Sequence, residues 1–182
     1  MTTGIKDAKR IFKLQNFSKE HLFYDIWMLY EVTFKLSLSI SDGIIANAMV
    51  ESFVIHATLI LDFLFNIKDK ESDSVADDYL VDPLAWRKLS SVHRKKFDFV
   101  WQRRNKEIAH LSYERLGITP QEKLWNFVAI AREISDLVDL FIDSASKDLL
   151  SVEVINLKGI YRGNLLWRFA QNFNSAPMRN NG

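Results

Sequence analysis

What most limits the fold of this chain is how little interrupts it. Its 182 residues hold three prolines and six glycines. These are the residues that end helices, and Pro83, Pro120 and Pro177 all stand at the edges of apolar-periodic segments. Long helices follow. The first is expected after Ser18, running to about Ile40, with Ser41-Asp42-Gly43 as turn and cap. The second covers Ile44 to Asn66 and is apolar nearly all round, as a central, buried helix should be. One polar stripe of Asn47, Glu51, Thr58 and Asp62 shares a face of it. Residues 67–81 read as an irregular acidic connection with a short turn near Val75–Tyr79. Asp82-Pro83 is an N-cap followed by proline at the first helical position, which predicts a short helix to Leu89. Ser90 or Ser91 then caps a third long helix reaching about Leu111.

Leu116-Gly117-Ile118 breaks the chain, and Thr119-Pro120-Gln121-Glu122 is a capping box. A fourth long helix is expected from Pro120 to about Leu149, with Leu124, Phe127, Val128, Ile134, Leu137, Val138 and Phe141 at helical spacing. Beyond Ser151 the pattern weakens. Val152–Ile155 reads as a short strand, and Ile160–Phe173, with Arg162, Trp167 and Arg168, as an amphipathic helix. The fold class is therefore all-α: an antiparallel four-helix bundle over residues 1–150, with short extra helices and a partly irregular C-terminal extension over 151–182.

Composition bounds the function. Hydrophobic residues make up 48% and charged residues 26%, values that suit a folded domain. Cysteine is absent, which excludes disulfides and thiolate metal sites. Met1–Leu14 has no apolar core of a signal peptide, so a cytoplasmic location is expected. The apolar stretch Ile44–Phe65 carries Glu51, His56 and Asp62, which argues against a membrane span. Net charge is +1, too little for generic nucleic-acid coating. The charge is uneven, however. Arg87–Lys106 holds eight Lys/Arg and one acid, and Asp69–Asp82 holds six acids and one Lys. Both can equally be solvated surfaces.

On a helical wheel, Phe97, Val100, Trp101, Ile108 and Leu111 form a core sector, and Arg104 falls within it. An arginine there needs a partner, because its charge cannot be discarded. Glu51 and Asp62 are the candidates for ion-pair support. Arg103 and His110, seven apart, share another edge, and His110 could simply cap a helix C-terminus. His56 reads as a satisfied core histidine. His56, His93, His110 and Asp62 lack zinc-helix spacing. Glu51 and Asp62 lie roughly 16 Å apart along the helix, too far for a carboxylate dyad. The five tryptophans read as core and interface fillers rather than base-stacking platforms.

Arg104-Asn105, with five residues between the arginine and His110, resembles the signature of the HEPN superfamily of four-helix-bundle proteins. The segments Glu51-Ser52-Phe53-Val54-Ile55-His56, Leu61-Asp62-Phe63-Leu64 and Asn105-Lys106-Glu107-Ile108-Ala109-His110-Leu111-Ser112-Tyr113-Glu114-Arg115 resemble a bacterial HEPN-like family, over about Ile44–Glu122. The resemblance implies a ribonuclease that needs no metal and no cofactor, in which two protomers face their motifs into one cleft. His110 would be the general acid or base at the ribose 2′-hydroxyl. Arg104 would bind the scissile phosphate, and Asn105 would orient a neighbour or the phosphate. Arg103, Lys106 and Lys96 would contact the RNA backbone, with Arg103 a rival for the phosphate. The implied partners are a second copy, RNA and an antitoxin-like protein, in a toxin or defence setting, with no membrane. The other open reading is a non-catalytic helical module that binds a protein or nucleotide. On an ideal helix Arg104 and His110 point about 120° apart. They converge only if the helix loosens near Ile108 or two protomers share the work.

Overall fold

The computed structural model describes residues 3–38, 42–109, 113–117, 119 and 124–163. Among these residues the protein is all-α, with no strand. A lone antiparallel bridge links Leu80 and Ala145.

Helix α1 (Thr3–Phe17) passes through a π-helical turn (Ser18–Leu22) into α2 (Phe23–Ser37). The helix thus begins well before the expected start after Ser18. That serine is no N-cap: its flanking residues keep helical dihedrals and it is buried. Its hydroxyl donates to the Gln15 carbonyl at 2.8 Å and accepts from the Ser151 N–H at 2.8 Å. A residue type that caps helices serves here as a tertiary tie, with Leu14 upstream already in the core.

Helix α3 (Gly43–Phe65) matches its expected span. The Asp42 carboxylate caps it, accepting from the N–H groups of Ile44 and Ile45 at 2.9 and 3.1 Å. Ser41 lies outside the described residues. By length and composition α3 could cross a membrane. In its second half Phe53, Val54, Ala57, Ile60, Leu61 and Leu64 are buried, but the expectation of a helix covered nearly all round fails on one side, where Ile55 and Leu59 are 46% and 44% exposed. Its first half is exposed, with Ile44 at 83%.

The acidic connection follows, with a 3₁₀ turn at Ala76–Asp78 as expected. Its apolar residues Val75, Ala76, Tyr79 and Leu80 are buried, while Asp78 pairs with Lys68 at 3.0 Å and Asp77 with Arg87. Helix α4 (Pro83–Arg94) is capped by Asp82 as predicted. It does not stop at Leu89. Ser91 donates back to the Lys88 carbonyl at 2.9 Å, so its hydroxyl is satisfied within the helix rather than capping a new one. The break falls at a 3₁₀ turn, Lys95–Phe97, before α5 (Asp98–Arg103) and a π turn (Arg104–Ala109).

Helix α6 (Phe127–Ser144) starts later than expected. Asn126 caps it through the Ala129 N–H at 3.3 Å. The predicted capping box runs into residues 120–122, outside the described set. The helix also ends before Leu149, where Ala145 turns extended to bridge Leu80. The expected strand at Val152–Ile155 is instead one helical turn, α7, capped by Ser151. Ile160–Gly163 forms α8, and the rest of the expected amphipathic helix, with Trp167 and Arg168, lies outside the described residues.

Helix α3 packs chiefly on α2, and both pack on α6, with α4 alongside. Phe141 of α6 is ringed by Phe63, Tyr79 and Trp86 at 5.2, 6.1 and 6.0 Å. Such edge contacts each add about 1 kcal/mol beyond burial. The indole N–H of Trp86 donates to the Leu64 carbonyl at 3.0 Å, fixing α4 on α3. Val154 and Leu157 join the same core.

Tyr79 is fully buried and its hydroxyl donates to the Leu14 carbonyl at 3.1 Å. Burial pushes its phenol up to about 12, with the nearby Asp78 carboxylate adding to the shift. The unfolded phenol titrates near 10. Between about pH 10 and 12 the unfolded chain therefore holds fewer protons, and stability falls as pH rises. Tyr79→Phe is expected to cost about 1 kcal/mol at neutral pH and to flatten this alkaline loss. Denaturant melts at pH 8 and pH 11 on both proteins check it.

Candidate functional site

The Arg103–Ala109 segment leaves a helix whose inner face is Phe97 and Val100, both buried, and Trp101, half-buried. These three and the partly buried Ile108 hold the expected core sector, while Leu111 lies outside the described residues. The indole N–H of Trp101 donates to Asp62 on α3 at 2.9 Å. On its other side the Arg94 guanidinium lies 5.6 Å from the ring centroid and donates to the Phe65 carbonyl at 3.3 Å. This anchors α5 across the end of α3.

Arg104 begins the π turn. The wheel put it among core positions, but its side chain is one-third exposed, because the wider turn opens the helix there. Of its two expected partners the structure selects Asp62, at 3.7 Å. Glu51 lies exposed near the middle of α3. Asn47 is also exposed, and Thr58 is buried with its hydroxyl donating to the Val54 carbonyl at 2.8 Å, so the polar stripe splits into separate environments. The Asn105 amide oxygen accepts from Nε and Nη2 of Arg104 at 3.2 and 3.0 Å. The guanidinium plane is thereby fixed by its own chain neighbour.

Arg103 is tied far more tightly. Its Nε and Nη2 donate to the two Glu107 oxygens at 2.6 and 3.0 Å, and Nη1 donates to the Leu124 carbonyl at 3.0 Å. Its Cζ sits 3.9 Å from the ring centroid of buried Trp125, whose indole N–H donates to Glu107 at 3.1 Å. Such a fork has little left for a phosphate. It also explains why Leu124–Asn126 is not helical: the chain stays open to seat Trp125. Nothing in the spacing of single residues announced this knot, although Arg103 and Glu107 stand at the i,i+4 distance that pairs charges on a helix.

Lys106 is exposed, and Lys96 is exposed 3.8 Å from Glu133. His110 lies outside the described residues. His56 is buried as expected, with Nδ1 2.9 Å from Asp25 and its ring edge-on to Tyr24. Among the described residues no three His, Cys, Asp or Glu groups gather to hold a metal. Trp86 and Trp125 are buried, and Trp27 and Trp101 are half-buried.

A cleft of about 610 Å³ lies between the Phe17–Leu22 turn, the end of α3 and the acidic connection, with Arg94 at one side. Asp25, Asp62, Asp69 and Asp73 line it. Four carboxylates against one guanidinium repel a phosphate, so the cleft is not where Arg104 would take an RNA backbone. No local motif marks this cleft, because its walls come from segments far apart in the chain. No family model, curated protein or solved structure matches the chain.

Proposed function

We propose that the chain is a four-helix-bundle protein of the HEPN kind that acts as a metal-independent endoribonuclease, with Arg104, Asn105 and His110 as its working residues. The supporting observation is the Arg104–Asn105 pair on the π turn. Two hydrogen bonds fix the guanidinium, while the longer 3.7 Å contact to Asp62 leaves its other edge loosely held. A fixed and accessible guanidinium is suited to grip a phosphodiester. His110 lies outside the described residues; in the homodimer that the resemblance implies, two protomers face their motifs into one cleft, where Arg104 and His110 act together.

In this arrangement His110 takes the proton of the ribose 2′-hydroxyl. The 2′-oxygen attacks phosphorus, the bond from phosphorus to the 5′-oxygen breaks, and that oxygen leaves with a proton from water. The products are a 2′,3′-cyclic phosphate and a 5′-hydroxyl. Arg104 stabilises the charge that builds on the non-bridging oxygens. The exposed Lys88, Lys95 and Lys106 would lead the RNA backbone in. A toxin-like role in the cytoplasm, held in check by an antitoxin-like protein, goes with this reading.

The test is cleavage of a mixed RNA pool with EDTA present. Wild type is expected to cut it, and His110→Ala to cut it at least about a hundred-fold more slowly. An intact pool, or undiminished cutting by His110→Ala, overturns the proposal. The second reading, a non-catalytic module that binds a partner, is favoured by the exposed apolar residues on the first half of α3.

A further inference from the structure

The cleft beside the end of α3 is apolar and acidic at once. Phe63 and Val75 lie in its walls, and Asp25, Asp62, Asp69 and Asp73 line it. Its volume of about 610 Å³ falls among small-molecule sites, which span roughly 300–1,000 Å³. Arg94 is the one cation among the described lining residues. Such a cleft excludes anions and attracts a cation whose body is apolar.

The carboxylates are strung out rather than gathered. Asp25 on α2 is tied to His56, with Oδ1 2.9 Å from Nδ1. His56 precedes Asp62 by six residues, roughly 9 Å along α3. Asp62 accepts from the Trp101 indole through Oδ1 at 2.9 Å, and Asp73 accepts from the Lys70 N–H at 3.0 Å. Asp69 is exposed and has no hydrogen bond or ion pair among the described residues. No three acidic or histidine groups among the described residues converge on one point, so a single metal ion does not match them. Separated charges on an extended ligand do. Ser74 adds a second requirement. It stands in the same wall, and its Oγ is buried without a hydrogen-bond partner in the protein. A buried hydroxyl left unpaired is costly, and an N–H donated to it from the cleft removes that cost.

We infer that this cleft binds a linear aliphatic polyamine. Its ammonium groups pair with Asp25, Asp62 and Asp69, and its methylene segments lie along the apolar walls. A short run of methylenes between two ammonium groups, with an N–H···O bond at each end, covers the spacing from Asp25 to Asp62. Asp62 also faces Arg104 at 3.7 Å. An ammonium on Asp62 therefore competes with that guanidinium and loosens its hold on α3. The site itself is independent of the ribonuclease reading, because binding is measured on the protein without RNA.

The test is isothermal titration calorimetry of the full chain with spermidine at low salt. One spermidine per chain should bind with Kd of about 10–300 μM. Mg²⁺ and trilysine should bind at least about ten-fold more weakly, and about 0.2 M salt should weaken spermidine several-fold. Asp69→Asn, at an exposed and unpaired side chain, should weaken binding about three- to ten-fold. Leu59 lines the cleft and is 44% exposed. Leu59→Lys sets an ammonium on a methylene stem there and should abolish spermidine binding while the protein melts as wild type does. Glu133→Gln, at an exposed acid that does not line the cleft, should leave Kd unchanged. No binding up to about 5 mM spermidine overturns the inference. So does undiminished binding by Asp69→Asn or by folded Leu59→Lys. Mg²⁺ bound as tightly as spermidine, or Glu133→Gln weakened as much as Asp69→Asn, overturns it as well, since diffuse surface charge would then be the cause. Trilysine bound as tightly overturns it in favour of a basic partner chain.

Discussion

Arg104→Ala is expected to lower RNA cleavage about a hundred- to a thousand-fold while moving the melting temperature by no more than about 3 °C. The loss of activity follows from removing the group proposed to stabilise charge on phosphorus. The small change in stability follows from what Arg104 touches: a carboxylate at 3.7 Å, with both side chains about one-third exposed, and the exposed amide of its neighbour. Exposed pairs of this kind contribute about 0–1 kcal/mol. Arg103→Ala is expected to behave in the opposite way. Its side chain is mostly buried and satisfies both Glu107 oxygens, the Leu124 carbonyl and the Trp125 face. Removing it strands a mostly buried carboxylate and should cost about 3 kcal/mol. Cleavage per folded molecule should fall much less. Kinetics at a temperature where both variants are folded, together with denaturant melts, separate the two arginines. If Arg103→Ala loses activity as severely as Arg104→Ala while staying fully folded, the assignment of roles is reversed.

Trp125→Ala should be the most destabilising single change, at about 3–5 kcal/mol. The indole is buried, packs edge-on to Phe53 of α3 at 6.5 Å, lies under Arg103 and donates to Glu107. It therefore ties α5, the π turn and the start of α6 to α3. Trp125→Phe keeps a ring under the guanidinium but loses the N–H donor, and should cost about half as much. A urea melt of the three proteins checks the order, and an alanine variant as stable as wild type would show that Trp125 does not hold these elements together. The knot also sits directly below the proposed catalytic turn, so Trp125→Phe is expected to loosen Arg104 and slow cleavage modestly.

The fold was legible where a local signal and its structural use coincide. Asp42 and Asp82 each precede an apolar-periodic run, and each caps the helix it announces. Ser18, Ser90 and Ser91 carry the same chemistry, but their hydroxyls bond within helices or to the distant Ser151, and tertiary position decides which use wins. Val152–Ile155 read as a strand because it is β-branched and short; the Ser151 cap and burial of Val154 made it a helical turn. At the site, Asp62 was legible only as one of two candidate partners for Arg104, beside Glu51 on the same polar stripe, and the packing of α5 across the end of α3 selects it. The wheel assumed a uniform α-helix, so it could not foresee the π turn that brings Arg104 to the surface or the seat that Trp125 takes under Arg103. The exposed side of α3 was hidden for a related reason. Uniform hydrophobicity looks the same whether a helix is covered on every side or only on one.

The most direct test of the ribonuclease account uses DNA oligonucleotides of mixed sequence, each with one ribonucleotide, incubated with the protein in EDTA. The account predicts cleavage only on the 3′ side of the ribose, leaving a 2′,3′-cyclic phosphate and a 5′-hydroxyl, with the all-DNA control intact and His110→Ala inactive. Cutting of the all-DNA control, ends bearing a 3′-hydroxyl, or no cutting of any ribonucleotide-containing strand would contradict it.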